Sequence, residues 1–198
     1  MNSSLLLAVL VAFGRPVGVP ETQKAVFAGG CFWGVDAVFR HVQGVVGVVS
    51  GYAGGSAATA GYDMISTGTT GHAEAVEITF DPQQISYVKL LEIFFTVAHD
   101  PTQLNRQGPD VGTQYRSAIF FADTAQRQTA QGFIERLTRA NAFAAPIVTE
   151  VVPLVAFYPA ESYHQDYLAH HLTQPYIVYN DLPKLERLKD RFPTLFRP

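Results

Sequence analysis

The chain holds one cysteine, Cys31, together with six histidines and 17 carboxylate side chains, and its chemistry turns on what surrounds that thiol. A thiol attacks well only once it has lost its proton, near pH ~8.5 for a free cysteine, and a helix N-terminus or a nearby cation lowers that value. Cys31 lies between Gly29-Gly30 and Phe32-Trp33-Gly34. The apolar residues Phe32, Val35, Phe39 and Val42 then recur at helical spacing, which places the cysteine at a strand-to-helix junction. There the glycines allow a tight turn and the first free amides of the helix point toward the sulfur. The pattern predicts a thiolate nucleophile beside two aromatic rings able to wall a pocket for an apolar group. A buried, inert side chain is the ordinary fate of a lone cysteine. Packing a helix start, however, calls for neither two glycines before it nor two large aromatics and a glycine after it.

The other reactive side chains allow fewer readings. His72 or His164 could serve Cys31 as general base in a cysteine hydrolase or acyltransferase, provided an imidazole reaches the sulfur and an oxyanion hole lies nearby. His72-Ala73-Glu74 matches the first half of a zinc deaminase motif, but the Pro-Cys-x-x-Cys half is absent. His164, His170 and His171 lack the i, i+4 spacing that sets two ligands on one helical face, so no metal site is expected. One cysteine also excludes an internal disulfide and a cysteine-based zinc site. A non-catalytic binding module remains as a further class, in which Cys31 would be dispensable. The net charge of -3 comes from 14 basic and 17 acidic residues without a block of either sign, so neither nucleic acid nor a membrane surface is an expected partner.

A hydrophobic fraction of 47% and an aromatic fraction of 12% are those of a globular protein. Residues 1–21 read as a leader: the apolar run 5–13 is too short to span a bilayer. It resembles the core of a secretory signal, with Ala12 and Gly14 as small residues near a cleavage point, although no Lys or Arg precedes it. Export and an unstructured leader on a cytoplasmic protein both stay open. Residues 22–198 read as a single catalytic domain without internal repeats. Strands are expected at 25–28, 45–52, 75–80, 116–121 and 147–152. Tyr87, Leu90, Leu91, Phe94, Phe95 and Ala98 mark a helix beginning at Ser86. Asp123 caps another running to about 141, 161–171 reads as a third, and the tail holds a weaker amphipathic stretch at Leu182, Leu185 and Leu188. The polar loop 99–114 is long enough to suggest function. Elements in this order predict an α+β fold, a two-layer α/β sandwich with a ferredoxin-like mixed sheet core.

Several segments carry a resemblance. Gly30-Cys31-Phe32-Trp33-Gly34, Gly71-His72-Ala73-Glu74-Ala75-Val76, His99-Asp100-Pro101-Thr102-Gln103, Asn105-Arg106-Gln107-Gly108, Gly112-Thr113-Gln114-Tyr115-Arg116-Ser117 and Tyr163-His164-Gln165-Asp166-Tyr167-Leu168 stand in this order. Together they are similar to the A-type peptide methionine sulfoxide reductases over about residues 24–179. The resemblance implies that Cys31 attacks a sulfoxide sulfur, that Glu74 protonates its oxygen, and that Tyr62 and Tyr115 hydrogen-bond that oxygen. It implies further that Asp110 orients a tyrosine or a water, and that Phe32 and Trp33 hold the substrate methyl group. The chemistry needs an acid still protonated at neutral pH, and a carboxyl in an apolar pocket is pushed in that direction. The implied substrate is the S epimer of methionine sulfoxide, free or in proteins, handled by a monomer without organic cofactor or metal. Ser66 stands where many relatives carry a further cysteine. No resolving cysteine exists in the tail, so a sulfenic acid on Cys31 would need an outside thiol, thioredoxin or glutaredoxin with glutathione.

Overall fold

The computed structural model describes residues 21–198, and the leader reading, all but its last residue, lies outside them. Its frame is two interleaved strand-helix-strand units. In the first, β1 (Gln23–Gly29), α1 (Phe32–Arg40) and β2 (Val45–Ala53) follow one another; β3 (Ala73–Phe80) then enters between β1 and β2, antiparallel to both. In the second, α3 (Tyr87–Ile93) leads from β3 to β6 (Ser117–Phe121), which pairs antiparallel with the far side of β1. The edges are closed by β7 (Glu150–Pro153), parallel to β6, and β8 (Phe157–Pro159), antiparallel to β2. The sheet order β7-β6-β1-β3-β2-β8 contains the expected ferredoxin-like core.

Strand alternation sorts the two faces. Ala25 and Phe27 of β1 join Val76, Ile78 and Phe80 of β3 in a core with the helices. Val26, Ala28, Ala73, Ala75 and Ala118 face the other way, where mostly small residues are covered by Val152, Leu154 and Phe157. Glu74 shares the parity of Val76 and Ile78, so the register delivers a carboxyl to the helical face. No described helix is long and apolar enough to cross a membrane.

Three elements differ from expectation. The helix begun at Ser86, whose hydroxyl caps it, ends in a π-helical turn at Phe94–Ala98. The strand expected from 147 begins only at Glu150. The helix expected over 161–171 is a 3-10 turn, Ser162–His164, and the short α5 (Tyr167–His170), separated by Gln165 and the left-handed Asp166. The cause is tertiary. The Gln165 amide accepts from the backbone N–H of Ser50 and donates to its carbonyl, both at 2.9 Å, and so stands in for a neighbouring strand on β2. Ahead of β3 lies α2 (Tyr62–Ile65), and the long polar loop before β6 carries the small hairpin β4 (Arg106–Gln107) and β5 (Asp110–Val111). After α4 (Thr124–Arg139), the tail folds into a π-helical turn, Ile177–Asp181, continuous with α6 (Leu182–Arg191).

Candidate active site

Cys31 occupies the N-cap of α1. The two glycines before it are needed for close approach: a Cβ on Gly29 would stand 2.9 Å from the Phe94 ring, and one on Gly30, whose φ is +91°, 2.5 Å from the Gln107 side chain. The sulfur lies against Glu74. The Phe32 N–H donates to Glu74 Oε2 at 3.0 Å, which holds the carboxyl beside the residue that follows Cys31, near enough for its charge to act on the thiol. The helix N-terminus therefore brings the carboxyl alongside the cysteine that caps it. Both are buried, Cys31 at 8% and Glu74 at 3% exposure.

That burial decides the protonation of the pair. Desolvation, followed by the charges of Glu74, Asp181 and Asp110, drives the Cys31 thiol well above the ordinary range, and the Trp33 amide only partly opposes this. The thiolate expected from the helix start is not the resting form. One turn of helix dipole is outweighed by loss of water and three acidic neighbours. Glu74 moves the same way. Burial raises its carboxyl to about 8, against the Phe32 amide, and keeps the acid protonated at neutral pH. At rest the pair holds two protons.

Aromatic rings surround this pair. Trp33 stacks on Tyr167 with centroids 3.7 Å apart and planes 6° from parallel, and its Nε1–H donates to His164 Nδ1 at 3.1 Å. Phe32 is nearly inaccessible at 1% exposure; its ring packs below, against Tyr52 and His164. The Tyr62 ring lies 4.5 Å from that of His164, and the Tyr62 N–H donates to Glu161 Oε1. Glu161 Oε2 accepts from the Tyr52 hydroxyl at 2.8 Å. Both Tyr62 and Tyr115 are raised by burial and then by the Glu74 charge, with Cys31 contributing to each. They are protonated hydroxyl donors around one carboxyl and one sulfur. Asp110 is engaged by the tail. It accepts from the Tyr176 hydroxyl, so the tyrosine it orients belongs to the tail.

The two candidate histidines have other partners than Cys31. Nδ1 of His72 accepts from Gly55 N–H at 3.2 Å and its Nε2 faces the Ser56 carbonyl at 3.0 Å; Nδ1 of His164 is taken by Trp33. His164 keeps a partnerless Nε2, but neither imidazole is hydrogen-bonded to Cys31 among the described residues, and the base-assisted hydrolase reading is not favoured. No group of potential metal ligands occurs among the described residues. Tyr176, Tyr167 and the structural role of His164 were missed by sequence reasoning. Tyr176 belongs to a tail with little periodicity, and no local signal ties it to a loop 66 residues earlier.

A cysteine that keeps company with a proton donor, and not with a base, is equipped to take an oxygen atom from a substrate; fold and site together define a thiol oxidoreductase. The family model for peptide methionine sulfoxide reductase matches residues 23–194, and the chain belongs to that family. Peptide methionine sulfoxide reductase MsrA 2 of Mesorhizobium japonicum is 56% identical over 89% of this chain and 91% of the relative. The MsrA of Thermus thermophilus is 47% identical over 91% of this chain and all of its own length. Among solved structures, methionine sulfoxide reductase A of Corynebacterium diphtheriae aligns with a TM-score of 0.72 at 38% identity, covering 79% of this chain and 78% of that one. Mxr1 of Saccharomyces cerevisiae in reduced form aligns with a TM-score of 0.71 at 32% identity, covering 77% and 87%. The activity is peptide-methionine (S)-S-oxide reduction: thiol-dependent conversion of methionine S-sulfoxide to methionine.

Proposed function

We propose that Cys31, Glu74, Tyr62 and Tyr115 carry out the sulfoxide step, with Trp33 as the wall for the substrate methyl group and Phe32 as the floor beneath it. The observation that carries this assignment is the buried Glu74 carboxyl, held by the Phe32 N–H next to Cys31 and raised to about 8 by burial. A sulfoxide oxygen leaves sulfur only as it is protonated, and a general acid works best with a pKa near the operating pH. In the proposed step the Cys31 sulfur bonds to the sulfoxide sulfur while Glu74 delivers its proton to the oxygen. Tyr62 and Tyr115 donate to that oxygen as its charge grows. Glu74 recovers the proton that the attacking thiol gives up. The oxygen then passes to Cys31, so thiol plus sulfoxide become sulfenic acid plus thioether. The cysteine sulfur is oxidised by the two electrons that reduce the methionine sulfur. Asp110 and Tyr176 hold the tail against the site.

With one cysteine in the chain, the sulfenic acid is resolved from outside. A first thiol forms a mixed disulfide with Cys31 and releases water; a second thiol displaces the first and restores the free cysteine. Thioredoxin, or glutaredoxin with glutathione, supplies these thiols in the cell. No organic cofactor enters the scheme.

The test is a single turnover without reductant. Methionine S-sulfoxide peptide should yield one methionine per chain, together with a single added oxygen on Cys31 by mass spectrometry and no loss of two hydrogens to a disulfide. The R epimer should give none. Substoichiometric or reductant-free multiple turnover defeats the scheme.

A further inference from the structure

The cleft that reaches Cys31 is not walled by the groups of the sulfoxide step. Its volume is about 220 Å³, and Cys31 shares it with Gln107, Asp110, Tyr176, Lys184 and Arg187, whereas Trp33, Glu74, Tyr62 and Tyr115 lie outside its lining. It shares His99, Asp100 and Arg187 with a neighbouring, larger cavity of about 640 Å³ bordered by Phe143 and Arg191. Lys184, Arg187 and Arg191 stand at i, i+3 and i+7 on α6, a spacing that places them along one side of a helix. A row of cations therefore follows a groove that begins at the reactive sulfur.

The charges on this groove are unequally free. Asp110 is engaged by Tyr176, and Asp100 is closed by the N–H and hydroxyl of Thr102 and by the Gln103 amide. Lys184 is held 3.1 Å from Asp181, and Arg191 donates to the Thr96 carbonyl. Arg187 is exposed and makes no hydrogen bond or ion pair among the described residues. The acids are spoken for, and the cation nearest the junction of the two cavities is not.

We infer that this groove receives a low-molecular-mass peptide thiol bearing carboxylates, with Arg187 pairing a carboxylate while the thiol sulfur meets Cys31. The inference rests on the sulfenic acid proposed above and names the reductant class and its site. In the first step the peptide thiol displaces the sulfenic oxygen from Cys31, forming a mixed disulfide and one water. In the second, another molecule of the same thiol attacks that disulfide, restoring the Cys31 thiol and leaving the peptide as its symmetrical disulfide. Substrate and reductant then approach one sulfur along different walls, so a carboxylate-bearing thiol enters without displacing the rings around Glu74.

The experiment oxidises Cys31 with one equivalent of methionine sulfoxide and follows its reduction by glutathione, or by uncharged β-mercaptoethanol, at matched thiolate concentration. The wild type should react faster with glutathione. Arg187→Glu should slow the glutathione reaction roughly tenfold at low salt, with a change of about twofold or less for β-mercaptoethanol. Arg187→Lys should recover most of the rate, and the difference between thiols should shrink as salt is added. Equal slowing of both thiols, no slowing of glutathione, or a wild type that prefers the uncharged thiol overturns the inference. A wild type that forms no sulfenic acid at all defeats the reductase scheme and this inference with it.

Discussion

Replacing Glu74 by Gln separates proton supply from packing. The Gln carbonyl can still accept the Phe32 N–H that holds Glu74 at 3.0 Å, so the helix start keeps its partner. What disappears is an acidic proton, and general acid catalysis is commonly worth about 10²–10⁴ in rate; the single-turnover formation of methionine should slow by that factor. The thiol should respond in the opposite sense. The Glu74 charge is the largest electrostatic cause, after burial, of its raised pKa, so Glu74→Gln lowers that pKa and iodoacetamide labels Cys31 faster at mildly alkaline pH. Stability provides a third readout. Below pH 4.5 the carboxyl is protonated whether the chain is folded or not, whereas between 4.5 and about 8 only the folded form keeps the proton. The folded state then binds more protons, and stability falls as pH rises through that window, by about 3 kcal/mol at neutrality. The Gln variant lacks this loss, so its stability relative to wild type, measured by urea unfolding, should improve by about that amount from pH ~4 to pH ~7. An unchanged methionine burst, or labelling that slows together with it, refutes the reasoning.

The wild-type burst rate should decline as pH rises through about 8, where Glu74 loses its proton, and rapid-quench measurements should find that limb missing in Glu74→Gln. Cys31→Ser should abolish methionine formation with any thiol while far-ultraviolet circular dichroism stays unchanged. Gly34→Ala places a Cβ against the Asp181 carboxyl and the Lys184 ammonium; overpacking of this kind costs about 1–3 kcal/mol, measurable by urea unfolding. Trp33→Phe removes the Nε1–H donor from His164, whose Nε2 already has no partner. Stability should drop by about 1–3 kcal/mol, and KM for a sulfoxide peptide should rise more than kcat falls.

Much of this site was legible along the chain because its parts are local. Gly-Gly before Cys31 and a helical period after it place a cysteine at a helix start. The alternation of Val76, Ile78 and Phe80 fixes the side of β3 on which Glu74 emerges, given which side is buried. Neither pattern contains the protonation of the two groups. The helix-start argument favours a thiolate, and the folded protein reverses it, because desolvation and the approach of Glu74, Asp181 and Asp110 are products of chain segments distant in sequence. The break in the helix expected over 161–171 has the same origin: Gln165 is drawn out of helical register by the edge of β2, 115 residues away. Asp110 was legible as a loop acid, but Tyr176, which binds it, and the cations of α6, which line the same cleft as Cys31, reach the site only when the tail packs against α1. Periodicity and turn chemistry report what a residue's near neighbours require. Burial and electrostatics sum over everything the fold brings close, and that sum exists only in three dimensions.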